Sequence, residues 1–176
     1  ESRYNEYAQT LLRKRFVRSD EVLDLGHLAH LPPGEFIGAG MWQLFKGIDS
    51  PYKSVLKLLL TEVYASEHPQ VSCLALRFKH AVYANQLDLD ELDPYIVVYR
   101  RLEEYLSARG ELERLELIRR CLYFKINKKL SRPAQSRNKS WQRVLFERLT
   151  HDWGWDERQL NLLDGRGQWK VRQVEN

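Results

Sequence analysis

Apolar residues recur at helical spacing through almost the whole chain, and most of the stretches they mark open at a cap and close at a stop signal. The clearest stretch begins at Ser50-Pro51. Serine is a favoured N-cap, and proline at the first helical position gives up an N–H that no intrahelical partner would take. Tyr52, Val55, Leu56, Leu59, Leu60, Val63 and Tyr64 form its apolar stripe, which fades at Glu67-His68-Pro69. Asp93-Pro94 repeats the device and opens a helix through Tyr95, Val98, Leu102 and Leu106, stopped by Gly110.

The same reading predicts a first helix over Tyr4 to Lys14 and a second from the cap at Ser19 to Gly26. Pro32-Pro33 opens a third, running through Met41, Trp42, Leu44 and Phe45. A shorter helix is expected over Leu74 to Tyr83. A long amphipathic one is expected over Glu111 to Leu130, with Leu112, Leu115, Ile118, Leu122 and Ile126 as its seam. Arg132 to Lys139 is polar, contains Pro133 and reads as a loop. Trp141 to Trp153 and Asp156 to Leu163 read as two more helices around Gly154. Nothing sustains period-two alternation between turn signals. The expected fold is all-α, a single bundle of about eight helices over residues 1–176 with no internal repeat.

Composition narrows the class. The chain is 43% hydrophobic and 30% charged, enough apolar surface to build a core and too much for a disordered segment. No apolar run approaches the roughly 20 residues that a membrane-spanning helix needs. Lys and Arg number 28 against 24 Asp and Glu, a net charge of +4 that is too small to argue for nucleic acid by itself. Cys73 and Cys121 cannot make a disulfide scaffold or a zinc site and suit a reducing cytoplasm. The polar start, Glu1-Ser2-Arg3-Tyr4, has no signal-peptide core, and the only methionine is Met41. A piece of a longer protein is the expectation.

No enzyme constellation is complete. Asp88-Leu89-Asp90 has the spacing of a magnesium-binding carboxylate pair, but no Gly-Ser precedes it and the surroundings read as a helix connection. His27, His30, His68, His80 and His151 lack metal-ligand spacing, and Gly38-Ala39-Gly40 lacks the Lys-Ser/Thr of a phosphate loop. Two basic features stand out. At Ser50-Pro51-Tyr52-Lys53, a helix N-terminus offers free N–H groups, Lys53 and Lys57 share one helix face, and Lys46 arrives from the preceding helix. These residues fit a phosphate, or else a plain cap beside a solvated face. The second is a stripe of Lys125, Lys128, Lys129 and Arg132 at helical spacing, with Arg119 and Arg120 before it. It suits phosphates or nucleic acid, or simply the cation preference of a helix C-terminus. Trp141, Trp153, Trp155 and Trp169 read as core or domain-contact residues.

Several strings together resemble one family. Trp42-Gln43-Leu44-Phe45-Lys46, then Ile48-Asp49-Ser50-Pro51-Tyr52-Lys53 and Val55-Leu56-Lys57, are similar to the class I adenylate cyclases of gamma-proteobacteria. So are Leu92-Asp93-Pro94-Tyr95, Arg119-Arg120-Cys121 with Tyr123 and Lys125, Lys129-Leu130-Ser131-Arg132, Trp153-Gly154-Trp155-Asp156, and Trp169-Lys170 with Gln173-Val174. The likeness runs in order from Tyr4 to Val174. Phe45 replaces a tyrosine and Gly47 a small polar residue, and Val71 to Leu89 and Pro133 to Lys139 match loosely.

The resemblance implies a cytoplasmic enzyme that converts ATP to cyclic AMP and pyrophosphate with Mg2+, and a regulatory half that answers to the sugar phosphotransferase system. It implies that this chain is the helical region following a nucleotidyltransferase-like α/β domain, which carries the metal-binding acids upstream. Lys46, Ser50, Tyr52, Lys53 and Lys57 would then bind the ATP triphosphate. No catalytic or metal-binding residue is assigned to the chain, and alone it is expected to be inactive. The other reading is a helical regulatory or protein-interaction module without nucleotide contact; a nucleic-acid-binding bundle is a third.

Overall fold

In a computed structural model of the chain, the described residues are Lys14, 32–78, 93–133 and 140–166. Six helices make up most of them: α1 (Pro33–Gly47), α2 (Pro51–Glu67), α3 (Pro94–Ala108), α4 (Leu112–Ile126), α5 (Trp141–Asp152) and α6 (Glu157–Arg166). Residues 74–78 are also helical, within the shorter helix expected there, and no strand occurs among the described residues. The fold is all-α, as the periodicity predicts. The helices expected over residues 4–14 and 19–26 lie outside the described residues apart from Lys14, as do Asp88-Leu89-Asp90, His27, His30, His80 and Trp169.

The start and stop signals act through identifiable bonds. Asp93 caps α3 by accepting the Tyr95 N–H at 2.8 Å, and Asp156 accepts that of Gln159 at 2.7 Å before α6. Gly110 and Gly154 follow α3 and α5 with φ of 69° and 73°, a region that only glycine enters freely. In each turn the next amide reaches back into the helix: Glu111 N–H donates to the Leu106 carbonyl and Trp155 N–H to that of Thr150, both at 3.0 Å.

Helix α4 is shorter than its apolar period suggests. It ends at Ile126, because Asn127 turns left-handed (φ 53°) and its N–H closes on the Tyr123 carbonyl at 3.0 Å. Asparagine tolerates that conformation, so the seam stops there although Leu130 continues the pattern. The basic stripe is therefore broken. Lys128, Lys129 and Arg132 stand on a loop, not on one helical face with Lys125.

Ion pairs and ring contacts fix how the helices run. Arg114, at the start of α4, pairs with Glu62 late in α2, while Tyr52 at the start of α2 stacks on Phe124 at the end of α4. Those helices are antiparallel. The Lys125 ammonium at the end of α4 lies over the ring of Tyr95 at the start of α3, which puts the N-termini of α2 and α3 at the same end. Along their length Arg101 of α3 pairs with Glu67, while the Tyr105 hydroxyl donates to Glu62 at 3.3 Å. Helix α1 folds back on α2 as a hairpin, with Phe36 edge-on to His68 at 6.0 Å. One end of the bundle thus gathers the N-termini of α2 and α3, the C-terminus of α1, and the loop after α4.

The core lies between α2, α3, α4 and α5. Leu56, Val63, Ile96, Tyr99, Leu102, Leu106, Ile118, Leu122, Phe146 and Leu149 are fully buried. Trp155 is buried beside them, and Trp153 packs edge-on to Tyr99 and to Trp155. Those two tryptophans are core residues, whereas Trp141 is 42% exposed.

Candidate functional site

The site develops where α1 turns into α2. The Ser50 N–H donates to the Lys46 carbonyl at 3.0 Å, which holds the two residues at one corner. Ser50 takes the N-cap position, yet its side chain makes no capping bond; only its carbonyl joins the helix, accepting the Ser54 N–H at 3.1 Å. The first amides of α2 therefore keep no side-chain partner from Ser50, and this end carries the positive pole of the helix dipole. The departure at Gly47 is harmless to packing, because a Cβ there would meet Ser54 Cβ at 3.7 Å, an ordinary contact.

The five residues singled out in the sequence share this end of the bundle but not one surroundings. Lys53 is half-buried and Lys57 exposed, and among the described residues neither forms an ion pair. The Lys46 ammonium lies 5.1 Å from the Trp42 ring centre, a cation–π contact within α1. Tyr52 is 40% exposed and lies flat against Phe124, with ring centres 4.7 Å apart and planes 28° from parallel. Beneath them Ser54 is buried, and its hydroxyl has no hydrogen-bond partner.

The stack brings a second basic segment to the same place. Phe124 stands one residue before Lys125 and four before Lys128, so the loop after α4 lies beside the start of α2. Lys125 is occupied, its ammonium 4.6 Å from the Tyr95 ring centre and its position favoured by the helix C-terminus. Lys128 and Lys129 are half-buried and make no ion pair among the described residues. Arg119 and Arg120 do not join them. Arg119 faces Glu103 and Glu116, Arg120 bonds Glu116 at 3.0 Å, and Arg119 also lies over Trp153.

This loop is held from below by a buried carboxylate that the sequence did not disclose. Asp164 accepts the Tyr123 hydroxyl at 2.8 Å, the Ser131 hydroxyl at 2.6 Å and the Ser131 N–H at 3.0 Å. The Tyr123 hydroxyl in turn accepts the Leu130 N–H at 3.1 Å. From the side, the Arg143 guanidinium donates to the carbonyls of Lys128 and Arg132, at 3.4 Å and 2.5 Å. Burial and the carboxylate beside it push the Tyr123 phenol well above its usual range, so it stays a neutral donor. Two backbone carbonyls, two side-chain anchors and a left-handed Lys129 (φ 44°) define the loop.

No group of three or more His, Cys, Asp or Glu side chains suited to a metal ion occurs among the described residues. Cys73 and Cys121 are free thiols, and burial pushes the Cys121 thiol up to about 11, which makes it a core residue and no nucleophile. Gly38-Ala39-Gly40 lies inside α1 and forms no loop. No helix among the described residues is long and apolar enough to cross a membrane.

Comparison with known proteins agrees with the residue strings. The family model described as "Adenylate cyclase, class-I, second domain" matches residues 31–176. The chain is 42% identical over 99% of its length to the adenylate cyclase of Escherichia coli (strain K12), and equally so to that of Salmonella typhimurium. It is 38% identical over its full length to the adenylate cyclase of Proteus mirabilis. In each case it spans 20% of the relative's length. No solved structure matches the chain.

Proposed function

Because the chain belongs to the class I adenylate cyclase family, we propose that it is the helical region of the catalytic half of such an enzyme and helps hold the triphosphate of ATP. The parent enzyme converts ATP to cyclic AMP and pyrophosphate. Its metal-binding acids lie upstream, on an α/β domain, where Mg2+ is bound. This chain forms a single helical domain, inactive alone, and the parent is cytoplasmic and regulated through the sugar phosphotransferase system.

The observation that carries the site is the Tyr52–Phe124 stack. It sets the N-terminus of α2, with Lys53 and Lys57, beside the loop that bears Lys128 and Lys129. Cations from two segments and a helix N-terminus then gather at one end of the bundle, with no carboxylate pairing Lys53 or Lys57 among the described residues. As pyrophosphate leaves, negative charge grows on the β- and γ-phosphates, and fixed cations stabilise that charge without reorganising. Lys46 supports the corner, Ser50 offers its uncommitted hydroxyl, and Tyr52 offers the phenol at the edge of its stack.

The test is steady-state kinetics of the full-length enzyme carrying Lys53→Ala or Lys57→Ala. A fall in kcat/KM of about tenfold or more in each, with the enzyme still folded, corresponds to roughly 1.4 kcal/mol of transition-state binding and supports the role. Wild-type kinetics in both would leave the corner a solvated helix end and favour the reading as an interaction module.

A further inference from the structure

Helix α1 buries nothing of its own. None of its fifteen residues is buried, while Ile37, Met41, Leu44, Phe45 and Ile48 are each 60% exposed or more. Those positions recur at helical spacing and form one continuous stripe. Trp42, 56% exposed, stacks against Phe45 and widens it. Only two charges, Glu35 and Lys46, interrupt the helix, one at each end. Single exposed apolar residues are ordinary, but an uninterrupted stripe of this kind marks a contact surface.

The glycines point the same way. Gly34 and Gly38 stand four residues apart on the side that continues to Met41 and Phe45, and open space surrounds the place where each Cβ would be. Nothing within the described bundle requires them, and Gly38 weakens the helix interior. They allow another backbone to approach closely. A helix of low intrinsic propensity with no buried side chain gains its stability from whatever covers it.

We propose that this stripe docks on an apolar surface of the domain that precedes it in the parent enzyme, so that α1 forms the seam between two domains. The matched family segment is a second domain, its match begins at residue 31, and α1 begins at Pro33. The stripe therefore lies on the first helix of the matched segment, and residues 1–30 tether it to the preceding domain, which gives that partner a high effective concentration. With four-fifths of each relative's length outside this chain, there is ample surface to cover it. The inference rests on the family and on α1, and is independent of where the triphosphate binds.

The experiment uses the full-length enzyme in two readouts. Hydroxyl-radical footprinting of the unmodified enzyme should oxidise Met41 at least about tenfold more slowly than in urea-unfolded enzyme. A photoreactive benzophenone side chain placed at position 41 should then give an intramolecular cross-link to a peptide upstream of residue 1. Oxidation at the unfolded rate, or the absence of any cross-link, overturns the proposal. A cross-linked species of doubled mass overturns it in favour of a second copy, and a link confined to residues 1–30 in favour of this chain's own leading segment.

Discussion

Tyr52 and Phe124 stack with their ring centres 4.7 Å apart, seventy-two positions apart in sequence, and join the start of α2 to the end of α4. Within the basic end of the bundle, that contact joins the two cationic segments directly.

The stack should be measurable as a coupling. Tyr52→Ala and Phe124→Ala, singly and together, should give a coupling energy of about 0.5–1.5 kcal/mol in a double-mutant cycle of urea unfolding. Tyr52→Phe keeps the rings and removes the hydroxyl, so stability should hold. A raised KM for ATP in the full-length Tyr52→Phe enzyme would then report a bond from the phenol to a phosphate. Additive single changes would show that the rings contribute nothing jointly.

Asp164 should be the costliest polar residue to lose. Asp164→Ala strands the buried Tyr123 hydroxyl and Ser131 together, and each unpaired buried group costs about 1–3 kcal/mol. Thermal unfolding should show a large drop in Tm, while Tyr123→Phe, which removes one bond and leaves Ser131 on the carboxylate, should show a smaller one. Equal Tm values for Asp164→Ala and wild type would mean that the network does not hold the loop.

Stability should fall at alkaline pH. The Cys121 thiol is held up at about 11 by burial, so the unfolded chain loses this proton first. The folded state then binds more protons than the unfolded one, and its advantage, complete below the usual thiol range, is lost as pH climbs toward about 11. Burial raises the Tyr99 and Tyr123 phenols as well, which adds to the trend higher up. Urea midpoints at about pH 8 and about pH 10.5 should decline less in Cys121→Ala than in wild type. Identical declines would place the loss elsewhere.

The helix ends make a fourth prediction. Gly154→Ala forces an alanine to φ near 73° and should cost about 1–2 kcal/mol. Asn127→Gly, at φ 53°, should be neutral or better, and Asn127→Val should be clearly worse. Matching urea midpoints for the glycine and valine variants would mean that the left-handed turn at Asn127 is not what ends α4.

The all-α class, the start of α2 at Ser50-Pro51, the capped start of α3 and the stops at Gly110 and Gly154 were all legible in the chain. They depend on local physics: an apolar period, a cap, a fixed φ and a missing Cβ act within four or five residues. The family was legible too, because residue strings carry it. Other features were not. The apolar seam ran on to Leu130, but α4 ends at Ile126, since Tyr123 and Asp164 claim the backbone that follows. The even spacing of Lys125, Lys128, Lys129 and Arg132 suggested one stripe, and the loop dispersed it. Ser50 looked like a capping side chain and leaves its hydroxyl free. Phe124, Ser131, Asp164 and Arg143 carried no signal of their roles, because their partners stand eleven to seventy-two positions away. Sequence by itself determined where helices begin and which face of each is apolar. Only tertiary packing decided which helix ends meet, and so which cations share a surface, because those contacts are made between segments that the chain order keeps apart.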